Sequence, residues 1–441
     1  GKSIEGEWRN ILGKDICVTA TGSKIGAIWG ETYYDNIYFE LKAENIIVSS
    51  SEISGVTSVG GIVGSGRMKK AQIQDSKIEG ESYIGGITGK TVFLPNGGAI
   101  EVSNCTIKGT KDYIGGISGS LGGGASKLYV KDSEIQGRNY VGGAVGYLYN
   151  SISNIAVINT NINSTGQAVG GIAGFMLDAG ISNACVESST IKGRDKIGGA
   201  LGVAKLNTIS NRVVMTEINA DIIAEESIGG LIGYINNEFE TNTNYVQFYN
   251  NAIVHTTIKG KTNVGGMVGS ISKKLPENYN KYNGNYVEAY LESEDDYTSI
   301  EIGNMKQESQ NMSDFYIYKY STINGVNINP MDYYLEENQY LNEEQLKLED
   351  TYRNKLKWNS GWDYTMLFTN KYPIIKGLKS QMGTNLPKDS EHIVSEEAGI
   401  STLSLEEKEE LKETFEYEGK KIETYETYSV ITNPDGEIVR R

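Results

Sequence analysis

Nine aliphatic-led, glycine-spaced phrases run along this chain, from Ile25-Gly26-Ala27-Ile28-Trp29-Gly30 to Val264-Gly265-Gly266-Met267-Val268-Gly269. Their first glycines stand at 26, 60, 85, 115, 142, 170, 198, 229 and 265, so the units are 25 to 36 residues long. A fixed phrase at near-constant spacing marks a repeat architecture in which each unit buries its apolar face against the next. An Ile precedes the first Gly by seven or eight residues in eight of these units: Ile53, Ile78, Ile107, Ile135, Ile162, Ile191, Ile222 and Ile258. A constant offset means one stacked position. Runs such as Ile73-Gln-Asp-Ser-Lys-Ile78 and Val130-Lys-Asp-Ser-Glu-Ile135 space β-branched residues by turn formers, which reads as short strands and corners.

The fold class that follows is all-β: a right-handed parallel β-helix of about nine coils, with stacked Ile and Val filling its interior. At about 4.8 Å per level, nine coils extend roughly 40 Å. The paired glycines are expected at corners, where they supply positive φ and close backbone approach. The expected division is a β-helix over 1–305, a mixed C-terminal cap over 306–380, a linker over 381–400, and a partial second domain over 401–441. Asn342 and Gln345 form a candidate helix N-cap pair in the cap. Ser404-Leu-Glu-Glu407 resembles a capping box opening a short acidic helix to about Thr414, followed by a β-hairpin. Asn433-Pro-Asp-Gly436 reads as a hairpin turn in a domain whose remainder lies beyond the chain.

A net charge of −15 disfavours nucleic acid and anionic membrane surfaces as partners. No apolar run approaches the roughly 20 residues of a bilayer span, and no signal-peptide pattern opens the chain, so a soluble portion of a longer protein is expected, without membrane insertion. Three cysteines, Cys17, Cys105 and Cys185, fall at different places in their units and read as buried free thiols rather than a disulfide framework.

Many parallel β-helices act on acidic polysaccharides through carboxylates on one strand face, so an enzyme has to be weighed. Asp75 and Asp132 hold equivalent repeat positions with Asn104 between them, and such recurrence favours turn residues over a catalytic pair. His255 and His392 are isolated, and His255 lies in strand-like Ile253-Val-His-Thr-Thr-Ile258, so no serine-protease triad is indicated. Gly89-Lys90-Thr91 imitates a phosphate loop but opens no helix. The acidic clusters Glu292 to Asp296 and Glu406 to Glu410 lack the alternating spacing of a calcium loop. No catalytic, cofactor or metal residue is assigned. The Asn- and Tyr-rich stretches Asn242 to Asn251 and Asn278 to Tyr290 are expected to be excursions from the wall. Their Tyr245, Tyr249, Tyr279, Tyr282, Tyr286 and Tyr290 are the candidate partner contacts.

Phrases such as Ile228-Gly-Gly-Leu-Ile-Gly233 and Val169-Gly-Gly-Ile-Ala-Gly174 resemble the GLUG repeat of bacterial secreted and cell-surface proteins, over residues 25 to 269. Asn342-Glu-Glu-Gln-Leu346, Leu356-Lys-Trp358, Gly361-Trp-Asp-Tyr364 and Tyr372-Pro-Ile-Ile-Lys376 look like the segment that closes such arrays. GLUG arrays occur upstream of the zinc catalytic domain in immunoglobulin A metalloproteases of Gram-positive bacteria, and also in adhesins. The resemblance implies a noncatalytic scaffold and substrate-contact region of such a protease, secreted or wall-associated. Its implied partners are a host glycoprotein such as immunoglobulin A and a downstream catalytic domain, which would carry the zinc. This chain departs from the protease pattern in having no His-Glu-x-x-His, so that zinc site cannot be built from its own residues. The alternatives are an adhesin module without a protease, and a polysaccharide lyase or glycoside hydrolase.

Overall fold

The computed structural model describes the chain except for residues 1, 4–6, 33–41, 92–97, 206–210, 237–245, 273–283, 295–296, 306–314, 329–338, 359, 366, 368–371, 379–403, 418–419, 433–437 and 441. The chain divides into two compact units, Gly1–Arg9 with Gly13–Met382, and Asn10–Leu12 with Gly383–Arg441.

The larger unit is a parallel β-helix with three walls, sheets of 11, 21 and 10 strands. The ten-stranded wall carries the strands that lead into the nine glycine phrases, and a tenth strand, Thr298–Ser299, extends it. In that last level Ser299 and Ile300 replace the first two glycines while Gly303 keeps the third place, so a degenerate tenth phrase closes the series. The Ile column of the sequence is one continuous ladder. Ile53 pairs with Ile78, Ile78 with Ile107, Ile107 with Ile135, and the register runs on through Ile162, Ile191, Ile222 and Ile258. All eight are buried. A second inward column, Ile73–Val102–Val130–Val157–Val186–Ile218, stacks beside it. Each buried aliphatic side chain contributes about 1.5–3 kcal/mol, which sums along the whole solenoid.

Of the two purposes expected of the glycines, only close backbone approach applies in the phrases. None in the phrases has positive φ; the positive-φ glycines among the described residues are Gly284, Gly325 and Gly377. Close approach is what requires them: a Cβ on Gly115 would lie 2.2 Å from the Ser118 oxygen and 2.7 Å from the Gly146 nitrogen. The left-handed corner stands two residues earlier and is filled by side-chain-bearing residues. Tyr83, Tyr113, Tyr140, Ala168, Lys196, Ser227 and Asn263 occupy it with φ between 50 and 68°. This conformation costs roughly 1–2 kcal/mol per non-glycine residue, so stacking against the neighbouring coils has to hold it.

A hydroxyl ladder seals another corner. Ser76 Oγ accepts from the Ser51 amide (3.1 Å) and donates to the Gln74 carbonyl (2.6 Å). Ser133 and Ser189 repeat the pattern with the Cys105 and Thr160 amides. Cys105 belongs to this column, its Sγ 3.2 Å from the Ser103 carbonyl, and burial pushes its thiol up to about 12. Cys105 and Cys185 are buried and free as expected, whereas Cys17 is exposed.

Strands Val246–Tyr249 and Asn285–Glu292 take in parts of the stretches Asn242 to Asn251 and Asn278 to Tyr290 that the sequence suggested as excursions; they are wall strands paired with Asn211–Val214 and with Ala252–Lys259. The 21-stranded wall also outlasts the other two, continuing through Phe315–Tyr318 to Tyr340–Leu341. The segment beyond it does more than close an end. Asn342 and Gln345 form the expected capping box of a short helix, Glu343–Leu346. From there the chain lies along the outer face of the wall, where Tyr352, Trp358, Trp362, Tyr372, Ile375 and Leu378 form a second apolar core with Tyr129, Ala156, Cys185, Ala252 and Tyr286. Trp358 stacks on Trp362 (4.2 Å) and donates from Nε1 to the Gly284 carbonyl (2.5 Å). The expected terminal cap is therefore a lateral flank.

The smaller unit holds a three-stranded antiparallel sheet, Ser404–Tyr417, Lys420–Thr432 and Ile438–Arg440. The acidic helix expected over Ser404–Thr414 is a strand. Its Glu, Lys and Leu residues favour a helix locally, and pairing along the β-branched and aromatic strand Lys420–Thr432 overrides that preference. The linker expected over 381–400 lies outside the described residues.

Gly115→Ala should cost about 3 kcal/mol or more, because backbone on both sides blocks the methyl. Gly124→Ala, whose Cβ would meet only the Ser151 oxygen at 3.5 Å, should change stability by no more than about 0.5 kcal/mol. Thermal unfolding followed by circular dichroism checks the contrast. In the same assay Cys105→Ser should melt at or above the parent temperature, since a hydroxyl fits its column better than a thiol, and Cys105→Val should melt lower by the loss of about 1 kcal/mol of hydrogen bonding.

Candidate functional site

The repeat positions that look catalytic in sequence are corners. Asp75, Asn104, Asp132 and Asn159 all adopt left-handed φ between 48 and 51°. Asn104 Nδ2 donates to Asp75 Oδ1 (2.6 Å) and Asn159 Nδ2 to Asp132 Oδ1 (2.7 Å), so carboxylate and amide alternate up the edge of the wall. Such pairing satisfies the side chains of successive coils, as the geometric reading of these residues expected.

In the last coils this edge changes character. His255 precedes Thr256 as Asp75 precedes Ser76, and it shares the left-handed corner conformation at φ 46°. Its Nδ1 lies 2.8 Å from Glu288 Oε1; the imidazole is 41% exposed and the carboxylate 4%. Tyr286 donates its hydroxyl to Glu288 Oε2 (3.4 Å), and the Tyr372 ring of the flank meets His255 edge-on (5.5 Å). Burial first, then the neighbouring Glu288 charge, hold the Tyr286 hydroxyl well above its ordinary pKa, which keeps it a neutral donor. A histidine oriented by a buried carboxylate can hold a positive charge or pass on a proton. The sequence showed His255 as isolated because its partner lies one coil away; the signal for Glu288 was its place just before Ala289, which stands opposite Thr256 in the ladder.

The six tyrosines singled out from the sequence separate sharply. Tyr290 is 39% exposed on strand Asn285–Glu292. Tyr286 is completely buried and offers no contact surface, a correction whose cause is the flank: Tyr286 points outward from the wall, and the flank covers that face. Tyr249 is half-buried in the wall strand Val246–Tyr249. Tyr245, Tyr279 and Tyr282 lie outside the described residues. Three tyrosines passed over in the sequence, Tyr149 (52%), Tyr297 (62%) and Tyr320 (49%), are more exposed than Tyr290, and Val326 is exposed as well. Tyr290 pairs with Thr322, and Tyr320 stands in the turn between Phe315–Tyr318 and Thr322–Ile323, the two strands that pair with Asn285–Glu292.

A second group of aromatics serves the wall itself. Tyr83, Tyr113 and Tyr140 stack at 4.8 and 5.0 Å, Tyr147 stacks on Phe175 at 5.4 Å, and the two stacks meet edge-to-face. Lys90 Nζ covers the Tyr83 ring at 4.0 Å. With their faces turned to one another, these rings brace successive corners.

One carboxylate stands out of place. The inward column Ile62–Ile87–Ile117–Ala144–Ile172–Ala200–Leu231–Met267, linked coil to coil by backbone hydrogen bonds, ends in Glu301. Burial alone pushes its carboxyl up to about 8.

Among the described residues no group of three or more His, Cys, Asp or Glu is placed to hold a metal ion, and no helix is long and apolar enough to cross a membrane. No family model, curated protein or solved structure matches this chain.

Glu301 gives the larger unit a defined pH response. Protonated in the fold and ionised in the unfolded chain above pH 4.5, it costs stability increasingly from there to about pH 8, after which the penalty is constant. The full shift is equivalent to about 5 kcal/mol, and the part of Glu301 left open to solvent reduces it. Glu301→Gln should therefore melt higher than the parent at about pH 9, with the gap closing by about pH 4. Equal melting temperatures at the higher pH would refute the assignment.

Proposed function

We propose that this chain is a noncatalytic β-helical scaffold and contact region of a large secreted or wall-associated Gram-positive protein, with an immunoglobulin A-type zinc metalloprotease as the preferred parent. The observation that carries the contact role is the set of exposed tyrosines, Tyr290, Tyr297 and Tyr320, in the last coils of the β-helix. Tyr290 stands on a wall strand, Tyr297 directly precedes one, and Tyr320 lies in the turn between two; exposed tyrosines of this kind present large amphipathic surface and dominate binding energy where they anchor an interface. The parent is supported by the Val/Ile-Gly-Gly-x-x-Gly phrases and the closing segment described above. A stack of coils also holds its contact surface at a set distance from whatever adjoins it, which raises the effective concentration of a tethered domain at a captured substrate.

The doubly substituted chain Tyr290→Ala, Tyr320→Ala should bind immunoglobulin A at least about tenfold more weakly than the parent, with an unchanged melting temperature. Equal affinity in a calorimetric titration would reject the contact role. Steady product formation from a panel of acidic polysaccharides would instead support the lyase or hydrolase reading. A His-Glu-x-x-His motif encoded after Arg441 would favour the protease parent over an adhesin.

A further inference from the structure

The geometry points to Asn324 as a self-modifying residue that converts to aspartate and isoaspartate in the folded protein. Asn324 and Gly325 form the two-residue turn of a small hairpin in which Thr322–Ile323 pair antiparallel with Val326–Asn327. Both turn residues have positive φ, 50° and 76°, the conformation that a tight hairpin of this kind demands. Both are exposed, and nothing lies within 4 Å of the space a Cβ on Gly325 would fill, so no side chain shields the junction.

Three features arrange the reaction. The Gly325 backbone nitrogen, the internal nucleophile, donates no hydrogen bond among the described residues. The Asn324 main chain is pinned, its amide donating to the Leu291 carbonyl (2.8 Å). The electrophile is polarised, because the Ser293 amide donates to Asn324 Oδ1 at 2.8 Å. As the Gly325 nitrogen bonds to Asn324 Cγ, negative charge gathers on Oδ1, where a fixed backbone N–H already points; such a donor stabilises a developing oxyanion. The Cγ–Nδ2 bond then breaks, and ammonia leaves with the proton given up by the Gly325 nitrogen. The resulting five-membered imide adds one water and opens at either carbonyl, giving aspartate or isoaspartate. No oxidant or cofactor enters the balance.

Two other Asn-Gly pairs stand in the chain, Asn96-Gly97 and Asn283-Gly284. Gly284 is buried, and a Cβ there would meet the Leu356 oxygen at 2.2 Å. The environment at Asn324 is the opposite. The product has a structural consequence, because isoaspartate inserts a methylene into the main chain of a two-residue turn and disturbs the hairpin in which Val326 pairs with Ile323.

The test incubates the intact chain at mildly alkaline pH, folded or in urea, and follows amide-to-acid conversion by peptide mass spectrometry with isoaspartate quantification. The 324–325 peptide should convert several-fold faster in the folded protein than in urea, and faster than the 283–284 peptide of the same folded sample. Asn324→Gln, which would need a six-membered ring, should show no conversion at this position. Conversion at 324 equal to or slower than that in urea would overturn the proposal, since the fold would then contribute nothing to the chemistry.

Discussion

Backbone-to-backbone contact between successive coils at the glycine phrases is the constraint from which the rest of the molecule follows. The first two glycines of each phrase leave no room for a Cβ between one coil and the next: a Cβ on Gly115 would lie 2.7 Å from the Gly146 nitrogen, and one on Gly116 would lie 2.1 Å from the Gly143 oxygen. Once the backbones are that close, the parallel register is set: Gly85 stands on Gly60, Gly115 on Gly85, and Gly142 on Gly115. In-register stacking then aligns every other column, because a slip by one residue would turn each inward Ile to solvent. The Ile column, the hydroxyl ladder and the Asp/Asn edge are consequences of that one alignment.

Columns make substitution a matter of neighbours above and below. Cys105 is accommodated because it continues a series of hydroxyls, and a left-handed tyrosine at position 113 is held between Tyr83 and Tyr140. The same rule explains why the last coils are the chemically distinctive ones. Where the series ends, a column no longer has to match a following coil, and Glu301 stands there at the end of an aliphatic column.

Much of the wall was legible in advance because stacking converts a sequence period into a spatial column. The offsets of Ile53 to Ile258, the corner role of Asp75 and Asp132, and the capping box at Asn342 and Gln345 all follow from local spacing. The flank was not legible. Its Trp and Tyr residues announced burial without saying against what, and the answer is a wall face formed by residues more than two hundred positions earlier, such as Tyr129. Tyr286 was misjudged for that reason, and the strand at Ser404–Tyr417 because pairing with a later strand outweighed local helix preference.

The sequence by itself determined that the chain winds into a parallel β-helix, since a repeated phrase with a constant apolar offset can bury its residues only by stacking on its own copies. Tertiary structure alone decided which face of that helix is left to solvent. A residue that points outward from a strand is exposed or buried according to what folds back over it, and that depends on contacts between distant segments that no local spacing encodes. The fate of Tyr286 under the flank and of Tyr290 outside it, four residues apart on one strand, rests on that difference.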